Sequence, residues 1–524
     1  MKTFLFSLIA FLLMVSLSAC NDFLDREPYH QVSQAVFYKE KNHFDMALAG
    51  NYRFLQIPGY ENSALSNEPP ARLFSDAACG WDVFTDNMYG KHGYGMSKEI
   101  VQGNIDPTLG GYIEILYKSC YNGITRANIF LKELEGYSGD DMTQTEKNAF
   151  EGEVRFIRAF YYFHLYMTYG DVPLILEPLT VETQKQPKAP AAQILEQVLK
   201  DLDFGIEKLT TTPYYQNNGH IVKSTAQALK ARVLMFTAFG NTGVPDINTL
   251  TTVKALCQEI IPLYNLSSDY NDLFINDGQK NNPEIIWSIN YLGPNNNNMI
   301  RTFQTSYVCW NPLQNLVDEY ECIDGLPFNE SPLYDPDDIF KNRDIRLKRS
   351  IYDDVVVFDD GYVFQPSEER TTGYGVMKYV DQKTIVTEAN PIAGYSDADM
   401  VTLRFAEVLL MYAEAQNEIG GADESVYNVM KSIRERAGLP PLPANLSKDQ
   451  MREKIRHERR VELAFEGGLR YYDLKRWRIC SNVLNNVTDG IITYRWEDRF
   501  YRWPLPATEI EKSDGVLVQN PDYH

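Results

Sequence analysis

Apolar residues recur at spacings of three and four over long stretches of this chain and alternate only in short ones, so helices dominate the pattern. Thr143-Gln144-Thr145-Glu146 has the form of a capping box, in which the hydroxyl serves the third amide while the glutamate reaches back. Behind it Phe150, Val154, Ile157, Tyr161 and Leu165 mark one apolar face, and Tyr169-Gly170-Asp171-Val172-Pro173 stops the helix. Ser224 to Phe239 and Asp399 to Ile419 read as two further helices, closed by Gly240-Asn241 and Gly420-Gly421. Ser447-Lys448-Asp449-Gln450 is a second capping box, opening a helix that runs to Gly467-Gly468. Weaker periodicity predicts helices near 33–55, 111–135, 190–209, 249–261, 425–437 and 469–484.

Several of these form close pairs joined by short Gly or Pro turns, the pattern of an α-solenoid. No clean 34-residue repeat signature accompanies them, so the repeat rests on the pairing of helices alone. Two stretches break the pattern. Residues 57–110 carry Pro58-Gly59, Pro69-Pro70 and scattered glycines; residues 265–395 carry turn clusters, much tyrosine and the strand-like runs Ile285 to Ile289 and Val355 to Phe358. Loops held on a rigid scaffold are where binding chemistry concentrates.

One apolar run stands apart. Lys2, the stretch Phe4 to Val15 and Leu17-Ser18-Ala19-Cys20 make a charged start, a short hydrophobic segment and small residues before a cut, the form of a secretory signal. The run is shorter than the ~20 residues of a membrane-spanning helix. Leu-Ser-Ala-Cys also fits a bacterial lipobox, which predicts removal of residues 1–19 and acylation of Cys20. Two or more acyl chains there would anchor an otherwise soluble body.

The 524 residues carry 50 basic against 71 acidic side chains, a net charge of −21. That balance argues against a nucleic-acid binder, which needs a basic footprint. A size prior of about 150 residues per domain suggests about three domains. The cysteines after Cys20 (Cys79, Cys120, Cys257, Cys309, Cys322 and Cys480) show no C-x-x-C spacing and read as isolated buried thiols. Aromatics are abundant, with 34 Tyr, 26 Phe and 6 Trp.

Enzyme signatures are missing. His457-Glu458 begins like a zincin helix, but position 461 is Val where the second histidine belongs. There is no G-x-S-x-G, Walker A or G-x-G-x-x-G motif, and Gly373-Tyr374-Gly375 alone carries little weight. A pair of hydrolytic carboxylates is a tertiary property that sequence does not test. The charged run Glu453 to Glu466 reads as a helical corner held by Arg–Glu pairs at i, i+3 and i+4. Within it Glu458 and Glu462 share a face with Ile455, which predicts partly buried carboxylates satisfied by arginine.

Ordered along the chain are Asn21-Asp22-Phe23-Leu24-Asp25 after the lipobox, Ala127-Asn128-Ile129, Arg158-Ala159-Phe160-Tyr161-Tyr162-Phe163 and Tyr169 to Leu174. They are followed by Leu403 to Ala415, Arg434 to Leu439, Glu458 to Gly467, Asp473 to Trp477, Trp503 to Ile510 and Gln519 to Tyr523. Together these resemble the SusD/RagB family of nutrient-uptake lipoproteins of Bacteroidetes. The resemblance implies a mostly α fold. It would be a single domain over 20–524, with a tetratricopeptide-like scaffold of helix pairs (mainly 33–55, 111–261 and 400–485). Loop-rich excursions with short strands, about 57–110 and 265–395, would carry the ligand.

The resemblance further implies a non-enzymatic lipoprotein of the outer membrane, facing the medium, that captures glycan for a SusC-like TonB-dependent transporter. Peptide capture in a RagB-like complex is the alternative, and a lipid-anchored glycoside hydrolase a third reading. A sugar site pairs flat aromatic rings with amides and carboxylates. Two segments supply them: Asp76 to Tyr94, with Trp81, Asp82, Asn87, Tyr89 and Tyr94, and Tyr307-Val308-Cys309-Trp310-Asn311. Trp81 and Trp310 are the leading expectations, then Tyr307, Asn311 and the remainder. Trp287, Trp477, Trp496 and Trp503 read as structural. No cofactor is expected; some relatives bind calcium, but Asp335-Pro336-Asp337-Asp338 lacks an EF-hand pattern and reads as a solvated turn.

Overall fold

The structure is a computed structural model that describes residues 37–56, 80–293, 296–298, 300–382, 396–488 and 491–523. The signal, Cys20 and residues 57–79 with Cys79 lie outside the described residues. Ten longer helices carry the fold: α1 Lys41–Arg53, α2 Tyr112–Gly136, α3 Gln144–Tyr169, α4 Ala191–Lys208, α5 Lys223–Thr237, α6 Ile247–Ile260, α7 Phe405–Gly420, α8 Glu424–Arg436, α9 Lys448–Glu462 and α10 Leu469–Arg476. Each of α2 to α8 packs on the helix before it, and α9 returns onto α7. The chain leaves after α6, makes a long excursion and comes back to lay α7 on α6.

Both capping boxes form. The Thr143 hydroxyl accepts from the Glu146 amide (3.2 Å) while Thr143 N–H donates to the Glu146 carboxylate (2.8 Å). Ser447 and Gln450 do the same at 3.2 and 2.8 Å. α3 is more deeply set than a one-faced helix, because every residue from Phe156 to Leu165 is buried. A helix apolar all round belongs at the centre of a core. Arg158 crosses from it to α4, its Nε and Nη2 donating to Asp201 at 2.8 Å each.

Among the described residues the strands pair as four antiparallel two-stranded ladders. They are β1 (Met88–Gly90) with β3 (Trp310–Pro312), β2 (Ile285–Ile289) with β8 (Met400–Arg404), β4 (Ile351–Tyr352) with β7 (Gly375–Val376), and β5 (Val356–Val357) with β6 (Val363–Phe364). β8 corrects the expected helix start at Asp399: residues 400–404 are extended and complete the partnerless β2 strand before α7 begins. The helical stripe through Leu403 was ambiguous because strand and helix both bury that residue. Trp287 on β2 is fully buried, edge-on to Phe156 and Phe160 at 4.9 Å.

The charged run on α9 departs furthest from expectation. Glu458 and Glu462 are fully buried, and their partners come from distant segments rather than from the same helix. Glu462 accepts from Arg346 (2.7 Å), from Arg404 (2.6 Å) and from Arg436. Glu458 accepts from Arg346 at 2.6 Å and lies 3.4 Å from Arg434. Glu284 pairs with Arg404 and Arg436 at 2.8 Å each, and Lys378 donates to Glu466 at 2.6 Å. Asp344 and Glu321 close the cluster on Arg346 and Arg434. These groups bolt the excursion (Glu284, Glu321, Asp344, Arg346, Lys378) to the scaffold. Burial alone raises the Glu462 carboxyl, but Arg436, Arg404 and Arg346 outweigh it and hold it well below its ordinary range.

All five described cysteines after Cys79 are buried.

Candidate functional site

The β1–β3 ladder brings the two expected loops together, with Tyr89 opposite Asn311 and Gly90 opposite Trp310. It continues into the turn, where Lys91 N–H donates to the Cys309 carbonyl at 2.9 Å. After β1 the chain passes through Gly93, Gly95 and Met96, all with φ near +60°. Gly95 is required there: a Cβ on it would come within 2.4 Å of the Tyr112 ring.

On the other strand, the short helix Ile300–Thr305 ends in a tight turn at Tyr307 and Val308. Val308 has φ +44°, a strained conformation for a β-branched residue. The surroundings impose it. Cys309 N–H donates to the Phe303 carbonyl (2.7 Å), Tyr307 N–H to the Thr302 carbonyl (3.1 Å), and the Asn311 amide to the Val308 carbonyl (3.0 Å). The turn thrusts the Tyr307 ring outward while Val308 is buried. Backbone strain of about 1–3 kcal/mol persists only where the fold over-determines it, often at binding loops.

The expected residues then separate into two groups. Tyr94 is 52% exposed and Tyr307 41% exposed. Phe303, half-buried, lies between them, with centroids 6.5 Å from Tyr94 and 6.3 Å from Tyr307. The His92 ring is 5.6 Å from Tyr94, and its Nε2 is 2.9 Å from the Tyr307 carbonyl. Lys91 Nζ donates to Glu368 Oε2 at 2.7 Å beside them, so a strip of rings is bordered by an ammonium, an imidazole and a carboxylate. Asn, Asp or Arg rims are not required for this; the polar rim is supplied by Lys91, His92 and Glu368.

The remaining expectations are corrected by burial. Trp81 is 1% exposed and stacks on Trp503 at 5.9 Å, with Phe84, Tyr112, Tyr471 and Tyr472 around it. Its turn, Gly80–Phe84, tucks into the core rather than standing as a loop. Asp82 is buried too; its Oδ2 accepts from Asn87 (3.0 Å) and from Phe465 N–H (2.9 Å), and burial pushes its carboxyl up to about 6. Asn87 accepts from Arg460 at 2.9 Å, and Asn311 from Thr371 N–H at 2.7 Å. Both amides are spent on the fold. Trp310, 6% exposed, stands edge-on to Phe303 at 5.7 Å and props it from beneath. Tyr89 is buried under the Lys98 ammonium, 5.3 Å from its ring. Asp335 accepts from Lys341 Nζ at 2.9 Å and from Asp337 N–H at 3.1 Å, an ion-paired turn.

Sequence reasoning missed Phe303, His92 and Glu368. A signal for the first existed: Phe303 and Tyr307 are four residues apart, the spacing that puts two rings on one side of a helical turn. Glu368 had none, because only the tertiary fold carries it to Lys91.

Comparison with known proteins adds a second line. Residues 22–235 match a family model described as starch-binding associating with outer membrane, and residues 276–523 match the model of the SusD family. SusD-like protein P25 of Formosa agariphila is 24% identical, with 96% of each chain covered. Among solved structures, a SusD-like carbohydrate binding protein from Bacteroides fragilis superposes with a TM-score of 0.78 at 23% identity, covering 92% of this chain and 99% of its own. A laminarin binding SusD-like protein gives 0.67 at 23% identity, covering 93% and 100%.

Proposed function

Because the chain belongs to the SusD-like family, we propose that it is a non-catalytic glycan-capture protein whose ligand lies along Tyr94, Phe303 and Tyr307. The observation that carries this reading is the strip of exposed rings held out by a strained turn. Sugars present C–H faces that pack on aromatic faces, and their hydroxyls need polar partners at the edge. Lys91, His92 and Glu368 stand there to give and accept hydrogen bonds. The rings are pre-positioned by Trp310 beneath and by the Asn311 amide behind, so little ordering opposes binding.

The mature protein is anchored in the outer membrane through acylated Cys20, faces the medium and hands its glycan to a SusC-like TonB-dependent transporter. The names of its relatives support this reading, one model being described as associating with the outer membrane and one neighbour as laminarin binding. The test is affinity electrophoresis of residues 21–524 against a polysaccharide panel containing laminarin and starch, with Tyr307→Ala and Tyr94→Ala beside the parent. Retardation of the parent that each variant loses by about tenfold is expected. Binding of mixed peptides with no glycan retardation would transfer the cargo to peptide, and release of reducing sugar would make the protein a hydrolase.

A further inference from the structure

A separate cavity of about 320 Å³ opens where α3, α5 and α10 meet the C-terminal segment. Its wall includes Tyr166, Phe236, Lys475, Arg478 and Arg502. For a protein of net charge −21 this wall is unusually basic. Two further arginines there are already neutralised: Arg476 donates to both Glu414 oxygens at 2.6 Å, and Arg499 to Glu497 at 2.8 Å.

The other three cations have no such partner among the described residues. Lys475 is 3% exposed, and its ammonium donates to the Met167 carbonyl at 2.8 Å, a neutral acceptor. Arg478 donates only to neutral oxygens, Gly240 O at 3.1 Å and Asn241 Oδ1 at 2.6 Å, with its guanidinium 4.1 Å from the Tyr501 ring centre. Among the described residues Arg502 forms no side-chain hydrogen bond or ion pair, and its Nε lies over Gly170, 3.1 Å from where a Cβ would stand. Asp498 and Asp522 line the same cavity, and among the described residues neither forms an ion pair with any of the three. Burial, with repulsion from Arg478 and Arg502, pushes the Lys475 ammonium down to about 7, so the three charges feel one another.

Three like charges on one wall, one of them buried and none ion-paired among the described residues, carry a cost that a bound anion lowers. We propose that this cavity binds an acidic sugar unit, its carboxylate or sulfate ester held by Lys475, Arg478 and Arg502. The volume is at the small end of ligand cavities, room for one sugar rather than an extended chain. Tyr166 and Phe236 give it an apolar wall. The inference does not rest on the aromatic strip, since no residue is shared.

Isothermal titration of the purified chain with glucuronate, galactose 6-sulfate, glucose, sodium sulfate and sodium phosphate tests it. Both acidic sugars should bind, glucose should not, and affinity should fall as salt rises. Arg502→Gln, at an exposed position that the fold does not use, should weaken both acidic sugars by at least about tenfold. Tyr307→Ala should leave them unchanged. Glucose binding equal to glucuronate, or an unaffected Arg502→Gln, overturns the site. Loss of glucuronate in Tyr307→Ala assigns the binding to the strip and overturns it as well. Heat from inorganic sulfate or phosphate with none from either sugar overturns the saccharide assignment.

Discussion

Replacing Glu462 by Gln keeps the shape of the side chain and removes one negative charge from the buried cluster. Three guanidiniums, of Arg346, Arg404 and Arg436, then face a neutral amide that must also turn its own NH₂ toward them. Breaking a buried ion pair by removing one partner costs about 3–5 kcal/mol, because the surviving charge stays desolvated. An unfolding entropy of about 2.1 cal/mol/K per residue, over about 500 residues, is about 1 kcal/mol/K. The melt should therefore fall by about 3–5 °C by differential scanning calorimetry. Glu453→Gln is the control; its exposed carboxylate lies 3.8 Å from Arg456, and such a surface pair is worth under about 1 kcal/mol. A Glu462→Gln melt within 1 °C of the parent, or no deeper than that of Glu453→Gln, would refute the reasoning.

Trp81→Ala empties a fully packed site and should cost about 3–5 kcal/mol of stability in guanidinium unfolding, whereas Tyr94→Ala should cost under about 0.5 kcal/mol and lose glycan retention instead. Asn311→Ala frees the Val308 carbonyl and should weaken glycan retention without touching ligand, read in the same affinity gels; retention equal to the parent removes its positioning role. Lys475 has a folded pKa of about 7, below its unfolded value of 10.5. Between those values the unfolded chain holds the extra proton, so this group makes stability rise with pH, and below about 7 its penalty is complete. Lys475→Met should accordingly be more stable than the parent at pH 7, with the gap shrinking by about 2–3 kcal/mol at pH 9; an equal gap at both pH values contradicts the burial argument.

The scaffold was legible because helices advertise themselves locally. Thr143 and Ser447 wrote their own starts, Gly170 and Gly421 their stops, and each longer helix from Tyr112 onward lies near its expected place. The strand at 400–404 was not legible, since what makes it a strand is β2, far away in the sequence. The same limit governs the site. Glycine density marked the backbone around Gly93 and Gly95, but the pairing of the two segments through β1 and β3 is a tertiary fact that the sequence did not predict. Composition, however, says nothing about which way a tryptophan points. Trp81 and Trp310 look like sugar platforms by type, yet the six-ring cluster around Trp503 needs the first and Phe303 needs the second. Tyr94 and Tyr307 end up outside because positive-φ turns at Met96 and Val308 leave no interior to receive them. The Arg–Glu run misled for a related reason: helical spacing suggests local pairs, whereas full burial of α9's inner face leaves its carboxylates reachable only from other segments.

The antiparallel register of β1 on β3 has a further consequence, for when the strip comes into being. Its rings are contributed by stretches on either side of the α2–α6 solenoid, so an emerging chain holds Tyr94 long before it holds Phe303 or Tyr307. Contacts of such sequence separation form late. Nascent or truncated chains that stop before β3 therefore lack the complete strip and should not retain glycan, however well their helices have folded. Transplanting either loop alone onto a relative should carry no specificity with it, because the proposed surface is built from a matched pair.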